Sequence, residues 1–89
     1  MKTHVVIFRG RVQGVNFRRS FAELARLHSV RGTVENLPDG SVRACLQGDP
    51  EEIAELLGEA RSHIRAARID SIEETTEDMG EMEGFRILG

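Results

Sequence analysis

The chain has a single cysteine, Cys45, and neither tryptophan nor tyrosine among its 89 residues. One thiol excludes an internal disulfide and a Cys-x-x-Cys metal or redox motif, and it fits a reducing cytoplasm. Without Trp or Tyr, and with no aromatic residue between Ser41 and Gln47, the chain lacks the stacking platform of a base-reading RNA domain. No apolar run is long enough to span a membrane, and Met1 to Phe8 is too short and too polar-flanked for a signal peptide. The three histidines, His4, His28 and His63, are scattered, with no histidine–carboxylate metal spacing. The glycines of the first loop are not followed by Gly-Lys-Ser/Thr, which excludes a nucleotide P-loop.

Charge is missing in blocks. Met1 to Ala22 contains Lys2, Arg9, Arg11, Arg18 and Arg19 and no acid, whereas Asp70 to Glu83 contains seven acids and no base. The formal net charge of −3 is unlike that of a whole-surface nucleic-acid binder. Positive charge gathered at one loop of an acidic chain favours a small anion over a long polyanion.

With 39% hydrophobic and 30% charged residues, residues 1–89 read as one globular domain with one core. A first strand is expected over about His4–Gly10, and a helix over about Arg18–His28 with Phe17, Phe21, Leu24, Ala25 and His28 on one stripe. A second strand, Arg31–Leu37, leads through Pro38-Asp39-Gly40, a turn by composition, into a third, Ser41–Gln47. There Val42, Ala44 and Leu46 share one face and Cys45 the other. Asp49 is a good N-cap, Pro50 suits the first helical position, and Glu52 can close a capping box. The stripe Ile53, Leu56, Leu57, Ala60, Ile64 follows. Ala67, Ile69 and Ile72 suggest a fourth strand whose alternation slips a register, the mark of a bulge. Thr76 to Glu83 reads as a mobile acidic loop, and Phe85 and Ile87 as a short closing strand. Two helices between strands fit a βαββαβ unit, the ferredoxin-like α+β sandwich with an antiparallel sheet and both helices on one face. That architecture hosts many functions and decides none.

The informative segment is Gly10-Arg11-Val12-Gln13-Gly14-Val15-Asn16-Phe17-Arg18, between the first strand and the first helix. Its glycines allow the backbone to bend so that successive N–H groups converge, and the helix opening near Arg18 adds unpaired donors. The Arg18 guanidinium can grip a phosphate through two parallel hydrogen bonds. Arg9, Arg11 and Arg19 read as solvated charges that steer anions. Asn36, near the end of the second strand, can hold a water molecule through its amide but cannot take up a proton at neutral pH. No nucleophile stands beside a base, so water is the attacking group. Such a site hydrolyses only a phosphate whose leaving group departs readily, and a carboxylate, with a conjugate acid of pKa about 4, is one. The substrate class that follows is an acyl phosphate.

Gly10-Arg11-Val12-Gln13-Gly14-Val15-x-Phe17-Arg18, Gly32-x-Val34-x-Asn36, Asp39-Gly40-Ser41-Val42, Leu46-Gln47-Gly48 and Phe85-x-Ile87 together resemble the acylphosphatase family over nearly the whole chain. The resemblance implies a ferredoxin-like fold, a phosphate bound by Arg18 and by the backbone of Gly14, Val15, Asn16, Phe17 and Arg18, and water positioned by Asn36. It also implies no metal and no cofactor, with the substrate phosphate accepting the water's proton. The expected partner is a small-molecule acyl phosphate, with no nucleic acid and no membrane, and the expected state a cytoplasmic monomer or weak oligomer. The competing function is a non-catalytic phosphate- or small-anion-binding regulatory module on the same fold. His28-Ser29-Val30, Thr33 and the Leu88-Gly89 ending depart from the family's common pattern.

Overall fold

The computed structural model describes residues 1–89, in the order β1 (Lys2–Arg11), α1 (Phe17–Leu27), β2 (Arg31–Asn36), β3 (Val42–Gln47), α2 (Pro50–His63), β4 (Arg68–Asp78) and β5 (Phe85–Leu88). The sheet runs β4-β1-β3-β2-β5. Alternation decides its two faces. Val6, Phe8, Val34, Val42, Ala44 and Leu46 point to the helices and join Phe17, Phe21, Ile53, Leu56 and Ala60 in one core. Cys45 lies outside that core and pairs with Val5 and Thr33, on the opposite face. Four phenylalanines form the centre: Phe8 meets Phe17 and Phe21 edge-on with ring centroids 5.1 and 5.3 Å away, and Phe85 lies 5.9 Å from Phe21. Both helices therefore cover one face, as the ferredoxin-like pattern requires.

The slip expected in β4 is a bulge. Arg9 pairs with Ser71 but Gly10 pairs with Ile69, leaving Asp70 as the extra residue. That residue brings Ile69 and Ile72, three apart, onto the same face, where both pack against the core. Gly10 is needed at this point. Its φ is +132°, and a Cβ there would stand inside the van der Waals radius of the Arg68 carbonyl and 2.8 Å from the Asp70 nitrogen. Gly10 thus serves strand pairing more than the loop that follows.

Three expectations need correction. Residues Thr76–Asp78 belong to β4, paired with Lys2–His4, and the remaining loop is pinned. Gln47 donates to the Gly80 carbonyl (2.9 Å) and to Thr3 Oγ1 (2.9 Å), and its Oε1 accepts from the Met82 amide (2.8 Å). The segment between Asp78 and Phe85 crosses four strand spacings, about 19 Å, which needs a nearly extended chain. It crosses at the end of the sheet where β2 begins, so β5 re-enters running the same way as β2. The sheet is accordingly mixed, with β5 parallel to β2 and all other pairs antiparallel.

The third correction concerns Glu52. Asp49 caps α2 by accepting from the Glu51 amide (2.8 Å), but Glu52 does not reach back to form a capping box. Its carboxylate goes to His28 Nδ1 (2.8 Å), while His28 Nε2 meets Glu59 at 3.0 Å and Glu55 lies 3.8 Å from Nδ1. An imidazolium offers charge-assisted bonds that a backbone amide cannot match. The histidine, at the C-terminal cap of α1, thereby joins the two helices.

Bonds to Glu59 and then Glu52 hold the His28 pKa above its ordinary 6.5. A raised folded-state value stabilises the protein fully below about pH 6.5 and ceases to do so as pH rises through the raised value. Thermal unfolding from about pH 6 to pH 9 should therefore show a loss of melting temperature that His28→Gln lacks. Equal pH profiles for the two proteins would remove the ion pair from the account of stability.

Candidate active site

At the end of the sheet where β1 and β2 terminate, a cleft of about 300 Å³ is lined by Val12, Gln13, Gly14, Asn16, Phe17, Arg18, Arg19, Asn36 and Ile87. Local sequence shapes its floor. Gly14 (φ 74°) and Asn16 (φ 59°) both adopt the left-handed conformation, which glycine and asparagine tolerate better than other residues. These two turns bring the chain from β1 into α1 within five residues, and buried Phe17 fixes the first turn of the helix to Phe8.

The two helix starts differ in a telling way. At α2, Asp49 caps, and Glu51 and Glu52 occupy the first turn. At α1, the Asn16 side chain makes no cap bond and no acid is present. The first backbone bond of the helix runs from the Ser20 amide to the Asn16 carbonyl, and the amides of Gly14, Val15 and Asn16 donate to no protein acceptor. Arg18 and Arg19 add positive charge where the dipole is already positive, a local cost of about 0.3–1 kcal/mol each. Uncapped amides and like charges at one helix start are relieved together by a bound anion.

Arg18 is half-buried, and its Nη1 donates to the Leu88 carbonyl at 3.3 Å, so β5 orients the guanidinium. Asn36, the last residue of β2, lines the same cleft, and its Oδ1 is buried without a hydrogen-bond partner. A buried amide oxygen left unpaired costs on the order of 1–3 kcal/mol, which a water molecule or ligand donor in the cleft would recover. The structure thus brings Arg18 and Asn36, singled out from the sequence, to one cleft. Of the five cradle residues, Val15 is the one outside the lining, although it packs on the core. The helix opens at Phe17, one residue earlier than expected.

Of the three arginines taken as steering charges, Arg9 is a correction. It pairs with Glu73 (3.2 Å) and Asp39 (3.1 Å) on the sheet, away from the cleft. Asp39 is held at about 2, first by the Ser41 hydroxyl and amide and then by Arg9. Arg19 lines the cleft and Arg11 is exposed.

Gln13 carries a role that its place in the motif did not disclose. Its Nε2 donates to the carbonyls of Leu37 (2.8 Å) and Ser41 (2.9 Å), across the turn that ends β2. The side chain therefore clamps the amide-rich loop beside Asn36. The available signal was weak: a long polar side chain between buried Val12 and Gly14, with nothing local to bond. Ile87 was placed on a closing strand without a place in the site.

A family model described as Acylphosphatase matches residues 4–87. An acylphosphatase of Thermococcus kodakarensis is 43% identical over 89 residues, covering 100% of this chain and 97% of that protein. One from Geotalea uraniireducens is 40% identical over 84 residues, covering 93% of this chain and 92% of the relative. The crystal structure of acylphosphatase from Bacillus subtilis superposes with a TM-score of 0.92 over 100% of both chains at 24% identity, a likeness of fold.

Gln13→Ala should leave two carbonyls without their donor and lower stability by about 1–3 kcal/mol. It should also weaken binding of inorganic phosphate several-fold, because the loop is no longer held in one geometry. Thermal unfolding and calorimetric titration with phosphate check both effects, and unchanged phosphate affinity would mean that the clamp does not shape the cradle.

Proposed function

The chain belongs to the acylphosphatase family, and we propose that it hydrolyses the carboxyl–phosphate bond of small acyl phosphates to a carboxylate and inorganic phosphate. The observation that carries this reading is the joining, in one cleft, of an uncapped helix start, the Arg18 guanidinium and the unpaired Oδ1 of Asn36.

In this reading the backbone amides of Gly14 to Arg18 and the Arg18 fork hold the phosphoryl oxygens and oppose the charge that gathers on them in the transition state. Asn36 accepts a hydrogen bond from the attacking water and sets its direction. The water oxygen bonds to phosphorus as the phosphorus–carboxylate bond breaks, and the electron pair leaves on the carboxylate. The cleft lining has no carboxylate, imidazole or thiol, so it offers no side chain suited to act as base. The water's proton passes to a phosphoryl oxygen, and the leaving carboxylate needs no general acid because its conjugate acid has a pKa of about 4. Catalysis is then positioning plus charge neutralisation.

A cytoplasmic location agrees with a free, buried Cys45, and no helix is long and apolar enough to cross a membrane. The substrate in this reading is a small molecule, in keeping with a cleft of about 300 Å³.

Arg18→Ala should abolish nearly all hydrolysis of acetyl phosphate measured with a chelator present, and Arg18→Lys should not rescue it, because a point charge cannot replace the planar fork. Asn36→Ala should lower kcat by on the order of 10²-fold while retaining most phosphate affinity, since it removes water positioning and little of the cradle. Phosphate binding by the wild type without turnover would point instead to an anion-binding regulatory module.

A further inference from the structure

The contact between the two helices holds more carboxylate than its histidine can balance. His28 closes α1, and its imidazole is only 12% exposed. Around it stand Glu52, Glu55 and Glu59, on one stripe of α2 at helical spacing. No lysine or arginine pairs with any of the three, so His28 is their shared ion-pair partner. An imidazolium carries a single charge, which leaves two negative charges uncompensated, and like charges at this spacing oppose the helix that carries them. The cluster differs from a surface acidic patch in its imidazole, which is nearly buried and comes from a different helix. The candidate active site makes no use of it. Arg18 lies near the other end of α1, about 15 Å away at 1.5 Å per residue.

The arrangement is that of a metal-ligating histidine. Nδ1 faces Glu52 Oε1 at 2.8 Å and Glu55 Oε2 at 3.8 Å, and the three ligand atoms lie within 4.8 Å of one another. Ligands about 2.1 Å from one cation stand about 3–3.5 Å apart, so a small rotation of the exposed Glu55 side chain closes the set. Nε2 is turned the other way, to Glu59 at 3.0 Å. A histidine that binds metal through one nitrogen almost always donates its other N–H to a group such as a carboxylate, which fixes the ring and its tautomer. Charge then balances better than with the proton alone: a dication offsets Glu52 and Glu55, and the neutral ring's N–H goes to Glu59. Glu55 is the informative member. In the ion pair His28 bonds Glu52 and Glu59, while Glu55 stays beyond hydrogen-bond reach. The ion pair has no use for Glu55; a cation does.

We propose that His28 Nδ1, Glu52 and Glu55 form a divalent transition-metal site, suited to Zn²⁺, that ties the end of α1 to α2, with Glu59 orienting the imidazole. Mixed imidazole and carboxylate donors favour zinc over magnesium, which prefers oxygen alone. The exposed carboxylates give the ion a way in and leave a remaining position to water. The metal takes the place of the Nδ1 proton, which is released to solvent, and no electron is transferred. The site is structural and independent of the hydrolysis proposed for the cleft. His28 and Glu52 are separated by 24 positions, which is why no local spacing along the chain marks it.

The test is calorimetric titration of chelator-stripped protein with Zn²⁺, beside thermal unfolding in zinc and in chelator. One Zn²⁺ should bind per chain, and the melting temperature should rise by about 10 °C at free zinc about 100 times Kd. Glu55→Gln removes a ligand but keeps both bonds of the ion pair, so it should fold normally and lose about tenfold or more in zinc affinity. Glu59→Gln should lose about tenfold through the orientation of the ring alone. His28→Gln should lose the zinc-induced shift altogether. His63→Gln alters an exposed histidine beside Ser62 and the Glu59 carbonyl, and it should bind zinc as the wild type does. Absence of one-to-one binding in the wild type, wild-type affinity in Glu55→Gln, or loss of binding in His63→Gln would each overturn the site.

Discussion

The packing of Phe17 against Phe8 and Phe21 is the constraint on which the candidate site depends. Phe17 is at once the first residue of α1, a fully buried member of the core and part of the cleft lining. Burial of a ring of this size contributes on the order of 2–3 kcal/mol, and the edge-on contacts with Phe8 add about 0.5–1.5 kcal/mol. That energy fixes where the helix begins. An uncapped start with two arginines in its first turn would otherwise fray, because dipole and side chains repel there. The core thus holds a helix end that local preference disfavours, and the disfavoured end faces the cleft.

The same division of labour recurs around the site. Asn16 sits in a left-handed conformation without capping, and Asn36 keeps a buried amide oxygen unpaired. Each is a modest local cost, and each lies on the cleft. Elsewhere local preference is met at several points: Asp49 caps α2, Pro50 opens it, and the acidic strand β4 exposes charges along an otherwise unpaired sheet edge, whereas Ser29 after α1 is left-handed (φ 54°). Asn16 and Asn36 depart from local preference on the cleft itself, as residues of a binding site do.

Much of this was legible from residue order. Both helix stripes, the β2–β3 turn and the β4 bulge depend on periods of two and 3.6 and on short turn signals, all contained within a dozen residues. Arg18 and Asn36 could be singled out because their side-chain chemistry is limited and their neighbours are distinctive. Other features were not legible. Glu52 has the right spacing for a capping box, but His28, distant in sequence, offers it a better partner. The acidic stretch after Thr76 looked mobile because its anchors, Gln47 and Thr3, lie on other strands. The parallel pairing of β5 depends on the end at which the crossing loop leaves the sheet, which no local pattern encodes.

The sequence by itself determined which elements form, which faces they bury, and the groups the candidate site can offer: an arginine fork, an amide and backbone donors. Tertiary structure decided the rest. It set Asn36 beside the helix start through the Gln13 clamp, turned Arg9 away to Asp39 and Glu73, joined His28 to α2, and brought Ile87 to the cleft. The reason is one of range. Propensity, capping and alternation act between residues a few positions apart, so they can be read along the chain. Contacts between α1, β2 and β5 depend on strand order and register, and those are fixed only when the whole core closes.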